Sequence, residues 1–137
     1  MLQKSSGKLK IFTKWSLLEC DDQIGLMYRS LYKLEYFYKP RIQRPLWSSH
    51  ISVIRGEIIL DEYIKSQLQG LEIEFLYSSG VHSNGVHFWL KVICPILDDI
   101  RQEFGLSKSI VDYHLSIGNI VDPSGHTTPQ EFYDKTL

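Results

Sequence analysis

Two short stretches, "SSHISVIRGE" (48–57) and "YHLSIGNI" (113–120), each place a histidine and a serine two residues apart between aliphatic neighbours. Side chains two apart on a strand share a face. In extended form His50 and Ser52 therefore point one way and Ile51 and Val53 the other. His114 and Ser116 likewise turn away from Leu115 and Ile117. Two such strands side by side present two imidazoles and two hydroxyls on one polar front. That set suits phosphodiester cleavage without a metal. A neutral imidazole takes a proton from water or a ribose 2'-hydroxyl, and a protonated one gives a proton to the leaving oxygen. Both forms coexist near neutral pH because the unperturbed imidazole pKa is about 6.5. The serine hydroxyls donate to non-bridging oxygens, where charge gathers in the transition state. A lone strand histidine is more often structural; the doubled motif argues for catalysis.

The segments that must position these motifs also repeat. "WSLLEC" (15–20) and "WLKVIC" (89–94) match at both ends, and each leads into a helical pattern that is followed by a His-x-Ser strand. In the first unit, 8–20 is rich in strand formers. "DDQIGLMYRSLYKLE" (21–35) then switches to helical spacing through Ile24, Met27 or Tyr28, Leu31 and Leu34, with Asp21 as N-cap. "YFYKPRIQRPL" (36–46) reads as a loop with three cations, Lys39, Arg41 and Arg44, before the strand at 47–56. A short helix over 60–70, a strand over 71–79 and a hairpin turn over 80–85 join the two units. The second unit runs through a strand over 86–94 and a helix over 95–105, with Ile96, Ile100 and Phe104 on one face. A strand over 110–121 ends it. The tail from Asp122 has turn residues and little period.

Composition bounds the rest. The 137 residues fit one domain able to bury its own core, and a net charge of −1 argues against binding long nucleic acid. No apolar run of membrane-spanning length or signal-peptide form occurs, so the expected compartment is the cytoplasm and no membrane partner is expected. Cys20 and Cys94 then read as buried reduced thiols. His82, His87 and Cys94 lack a sensibly spaced fourth ligand, so neither a metal nor another cofactor is expected.

Paired His-Φ-Ser/Thr-Φ motifs such as "HISV" and "HLSI" resemble the signatures of the 2H phosphoesterase superfamily. With "HFWLKVICPILDDIRQEFGL" leading into the second motif, the chain is most similar to the phage anti-CBASS nucleases. The resemblance implies an α+β domain spanning 1–137, with repeats over about 8–56 and 86–121 and a tail over 122–137. Two pseudo-symmetric lobes of antiparallel sheet would surround a central cleft, with helices outside. It implies cleavage of 3'–5' linkages in cyclic di- or trinucleotide immune signals, inside the host cytoplasm if the chain is phage-encoded. The implied route is 2'-hydroxyl attack with loss of the 5'-oxygen. The pseudo-symmetry leaves the roles open; His50 as base and His114 as acid is the assignment adopted. An RNA 2',3'-cyclic phosphodiesterase acting on short RNA, and a sponge that binds nucleotide uncut, are the alternatives.

Bases need flat partners, for which Phe12, Tyr36, Tyr38, Trp47, Phe132 and Tyr133 are candidates, whereas Trp15 and Trp89 read as core. Lys14 and Arg41 could meet a phosphate. His87 occupies the place of Thr13 in the repeat and could face the cleft, while His126 reads as solvated. Simple alternation puts Arg55 on the face opposite His50 unless a bulge intervenes.

Overall fold

The computed structural model describes residues 2–38, 41–45 and 47–120. Lys39 and the tail residues His126, Phe132 and Tyr133 lie outside them. The strand expected over 8–20 is two strands, β1 (Leu2–Ile11) and β2 (Trp15–Cys20), with a turn closed by the Phe12 N–H on the Trp15 carbonyl at 2.7 Å. Helix α1 (Asp22–Glu35) starts at Asp21, whose carboxylate accepts from the Gln23 N–H. β3 (Ile42–Gln43) interrupts the segment expected to be loop, and β4 (His50–Arg55) carries the first motif.

Helix α2 (Glu62–Leu68) leads to β5 (Glu72–Ser83), which runs through the expected turn at Gly80 and reverses only after Ser83 into β6 (His87–Ile93). Helix α3 (Ile96–Glu103) and β7 (His114–Ile120) complete the chain. Residues 106–113, part of which read as strand, are irregular because α3 holds them. The Tyr113 hydroxyl and Ser109 N–H donate to Asp98 Oδ1 at 2.7 and 3.1 Å, and Arg101 Nε donates to the Ser107 carbonyl at 2.8 Å.

The structure is α+β, its sheet antiparallel throughout and closed into a six-stranded barrel, β1–β2–β4–β7–β6–β5 and back to β1, with β3 added on β7. Its interior face holds Leu9, Leu18, Ile51, Leu90 and Leu115, all fully buried; burying a side chain of this size contributes about 1.5–3 kcal/mol. Lys10, Glu19 and Lys91 point outward, Lys10 and Glu19 as an ion pair at 2.8 Å.

The halves share one order: hairpin, helix, strand. β1-β2-α1-β4 is followed by β5-β6-α3-β7, with β4 against β7 and β1 against β5. Both seams are hydrogen-bonded edges. The two lobes and central cleft implied by the resemblance are therefore absent from the described residues: edge pairing joins the halves into one ring, and aliphatic side chains fill its middle.

Helix α1 turns its Ile24, Gly25, Tyr28 and Tyr32 side to the barrel, so Ile24 and Tyr28 of the expected stripe pack on the core while Met27, Leu31 and Leu34 are exposed. The cause is Gly25, where a Cβ would collide with Ser49 Oγ; only the glycine side can approach this closely. In α3 the buried positions are Leu97, Ile100 and Arg101, followed by the buried C-cap Phe104, with Ile96 half exposed. A second close approach lies at Gly118 of β7. A Cβ there would sit 2.6 Å from Ile42 Cγ2 and 2.9 Å from both Arg29 Cδ and the Gln43 carbonyl oxygen. Gly118→Ala should therefore cost about 1–3 kcal/mol, seen as a lower urea midpoint; an unchanged midpoint would show that α1 and β3 can retreat.

Cys20 and Cys94 are buried and not disulfide-bonded, and burial pushes both thiol pKa values up, which keeps them protonated and unreactive. No helix among the described residues is long and apolar enough to cross a membrane.

Candidate active site

Strands β4 and β7 lie side by side with His50 opposite Ser116 and Ile51 opposite Leu115, a register that carries Ser52 alongside His114. Ile51 and Leu115 point into the barrel, so the two histidines and two serines share its outer wall. The halves thus place their motifs head to tail across one seam.

Each motif strand then bulges at the same place. Between β2 and β4 the register passes from Leu17↔Ser52 to Ser16↔Ile54, leaving Val53 extra. Between β6 and β7 it passes from Trp89↔Ser116 to Phe88↔Gly118, leaving Ile117 extra. A bulge shifts the alternation by one residue. Arg55 pairs with Trp15 on the same β2 face as Leu17 and Glu19, the partners of Ser52 and His50. It therefore stands on the histidine face. Asn119, opposite His87, is its counterpart in β7.

The carbonyl of each bulge residue accepts from an arginine of the other half's helix. Arg101 Nη1 of α3 reaches the Val53 oxygen at 2.9 Å, and Arg29 Nη1 of α1 reaches the Ile117 oxygen at 2.7 Å. These arginines were missed in the sequence; aligning the helix segments "MYRSLY" and "DDIRQEF" would have drawn attention to them.

The imidazoles are oriented alike. Nδ1 of His50 meets the Ser48 carbonyl at 2.8 Å, and Nδ1 of His114 meets the Asp112 carbonyl at 3.5 Å. A carbonyl only accepts, so Nδ1 of His50 carries the hydrogen and Nε2 the lone pair. His50 is 1% exposed. Burial, opposed by the Ser48 hydrogen bond and reinforced by the charges of His114 and Arg55, lowers its pKa to about 4. The pKa of His114 is lowered by burial and then by Arg55, and that of His87 by burial.

Of the proposed ligand contacts, Trp47 and His87 are brought to this wall. Trp47 packs edge-on to His50 at 5.9 Å between centroids and lies 6.4 Å from Trp15, and His87 shares the outward side of β6 with Trp89. Trp15 and Trp89, expected in the core, are half-buried on the same wall, Trp89 at 5.9 Å from His114 and stacked on His82. Phe12 lines a separate depression beside Lys65 and Gln69, and Lys14 sits in the β1–β2 turn, where its carbonyl accepts from Gly56. Tyr38 packs on Tyr32 and Phe88, Tyr36 is exposed against Tyr32, and Arg41 is exposed. Arg44 pairs with Asp22 at 3.4 Å.

A pocket of about 410 Å³ opens beside Ser52 and Arg55, bounded by Glu57, Arg101, Lys108 and Tyr113. Among the described residues no three His, Cys, Asp or Glu gather as metal ligands. Comparisons with family models, with curated proteins and with solved structures return no match to this chain.

Proposed function

We propose that this protein is a metal-independent phosphodiesterase of the 2H type, cleaving 3'–5' linkages in cyclic oligonucleotide signals. The observation that carries the reading is the β4–β7 register, which faces His50 with Ser116 and Ser52 with His114 on one wall. His50 presents the Nε2 lone pair and takes the 2'-hydroxyl proton; the oxygen attacks the adjacent phosphate, and His114 protonates the departing 5'-oxygen. The Ser52 and Ser116 hydroxyls and the Arg55 guanidinium hold the non-bridging oxygens. The phosphodiester charge raises the His114 pKa as substrate docks, restoring the proton that burial and Arg55 discourage. Trp47 covers His50, so this route requires the turn carrying Trp47 to open for substrate. The pocket beside Ser52 suits one nucleoside of the ligand.

Turnover of cyclic di- and trinucleotides in EDTA, beside an RNA with a 2',3'-cyclic end, tests the reading when product ends are identified by mass. Linear products from the cyclic ligands support it. Strict dependence on a divalent metal, or conversion of the RNA end alone, rejects it. The burial of His50 favours a second reading, a sponge that binds nucleotide without cutting; intact ligand recovered after heating the complex would select it.

A further inference from the structure

Among the described residues Arg101, 6% exposed, is the only buried Lys, Arg, Asp or Glu. A buried charge is costly unless it is paired and hydrogen-bonded, and this one is met by three residues. Its fork grips Glu57 with Nη1 on Oε1 and Nη2 on Oε2, both at 2.7 Å. Nη1 also reaches the Val53 carbonyl at 2.9 Å, and Nε the Ser107 carbonyl at 2.8 Å. Val53 is the bulge residue and Glu57 follows Arg55 by two, so the guanidinium holds the chain on both sides of Arg55. Glu57 adds to this hold, its Oε1 accepting from the Arg55 N–H at 3.3 Å. Arg29 grips the matching bulge of β7 from α1. Two helices bracing two bulges at equivalent positions is more than core packing requires.

We infer that Arg101 is a positioning residue: it locks the β4 bulge and thereby keeps Arg55 on the wall that carries His50, Ser52 and His114. Its effect on catalysis rests on the phosphodiesterase reading; its effect on where Arg55 stands does not. Without the bulge, alternation returns Arg55 to the opposite face.

Arg101→Lys keeps the charge but removes the fork, since an ammonium cannot reproduce its planar geometry. The expected loss in kcat is about 10–100-fold through misplacement of Arg55, with KM changing less. Arg55→Met alone should cost about 10²–10³-fold, and Arg101→Lys added to Arg55→Met should cost nothing more. The second readout needs no turnover: the His114 ring followed by NMR titration. The groups facing it are His50 and Arg55 from β4, His87 and Lys91 from β6, and the Asp112 carbonyl just ahead of its own strand; of these only Arg55 lies beyond the bulge. The His114 pKa should rise in both single variants.

Multiplying losses together with an unmoved His114 titration would overturn the inference. A wild-type chain that cuts nothing, with a His114 pKa that rises in both variants, would leave Arg101 in its role and remove the phosphodiesterase reading. If Arg101→Lys does not fold, Glu57→Gln loosens the fork from a partly exposed side chain. It should lower kcat in the wild-type background and leave Arg55→Met unchanged; equal losses in both backgrounds would overturn the inference.

Discussion

Replacing His114 by asparagine is expected to lower phosphodiester turnover by about 10²–10⁴-fold with little change in Tm. The mildness for stability follows from its surroundings. The ring is half-buried, and its Nδ1 contact with the Asp112 carbonyl is long, at 3.5 Å. The severity for turnover follows from the protonation states. On the phosphodiesterase reading, the base limb of kcat/KM in the free protein belongs to His50, whose pKa is near 4, and the acid limb to His114, whose pKa is pushed below the ordinary histidine value. Activity should therefore rise through the His50 pKa and fall through that of His114, giving a bell centred on the acid side of neutrality. In His114→Asn the alkaline fall should vanish from the residual rate. A variant that keeps both the rate and the alkaline limb would remove His114 from the chemistry.

The second large effect is on stability. His50 has a folded pKa of about 4 against an unfolded value of about 6.5. Between these pH values the unfolded chain binds more protons, so stability rises with pH across the window and falls as the solution is acidified through it. The gap corresponds to roughly 3 kcal/mol lost from pH 6.5 to pH 4. His114 and His87, also lowered, add in the same direction. Glu57 and Asp98, lowered by Arg101 and Tyr113 respectively, lose their contributions only as pH falls through still lower values. Urea unfolding measured at intervals from pH 7 to pH 4 should show a slope close to one proton smaller in His50→Gln than in wild type. Equal slopes would mean that His50 is not held neutral by burial.

The motif pairing was legible because it needs only the period of a strand and a comparison of two segments. The same logic failed for Arg55, since a bulge is set by which group takes the extra carbonyl, and that group, Arg101, comes from a helix in the other half. Trp89 reads as core through its match to Trp15 in the repeat, and Trp15 does so because β2 has apolar residues on both sides, with Leu17 and Leu18 buried on opposite faces. Alternation there carries no orientation. Helix α1 misled for a related reason: its leucines outweigh its glycine in any hydrophobic count, yet the glycine decides which side can approach the sheet. The polar segment Leu2–Gly7 has no apolar period at all and becomes strand by pairing with β5.

The seam between β4 and β7 has one more consequence. A site built head to tail across such a seam offers nearly the same groups to a nucleotide strand threaded in either direction, because reversing the strand exchanges one His-Ser pair for the other. If the seam cuts such a strand, polarity of cutting must come from the places where the halves differ. Asn119 stands in β7 where Arg55 stands in β4, Trp47 packs on His50 and not on His114 among the described residues, and the pocket opens on the Ser52 side. On the phosphodiesterase reading those asymmetries give the seam a compass, deciding which end of the ligand is read as upstream.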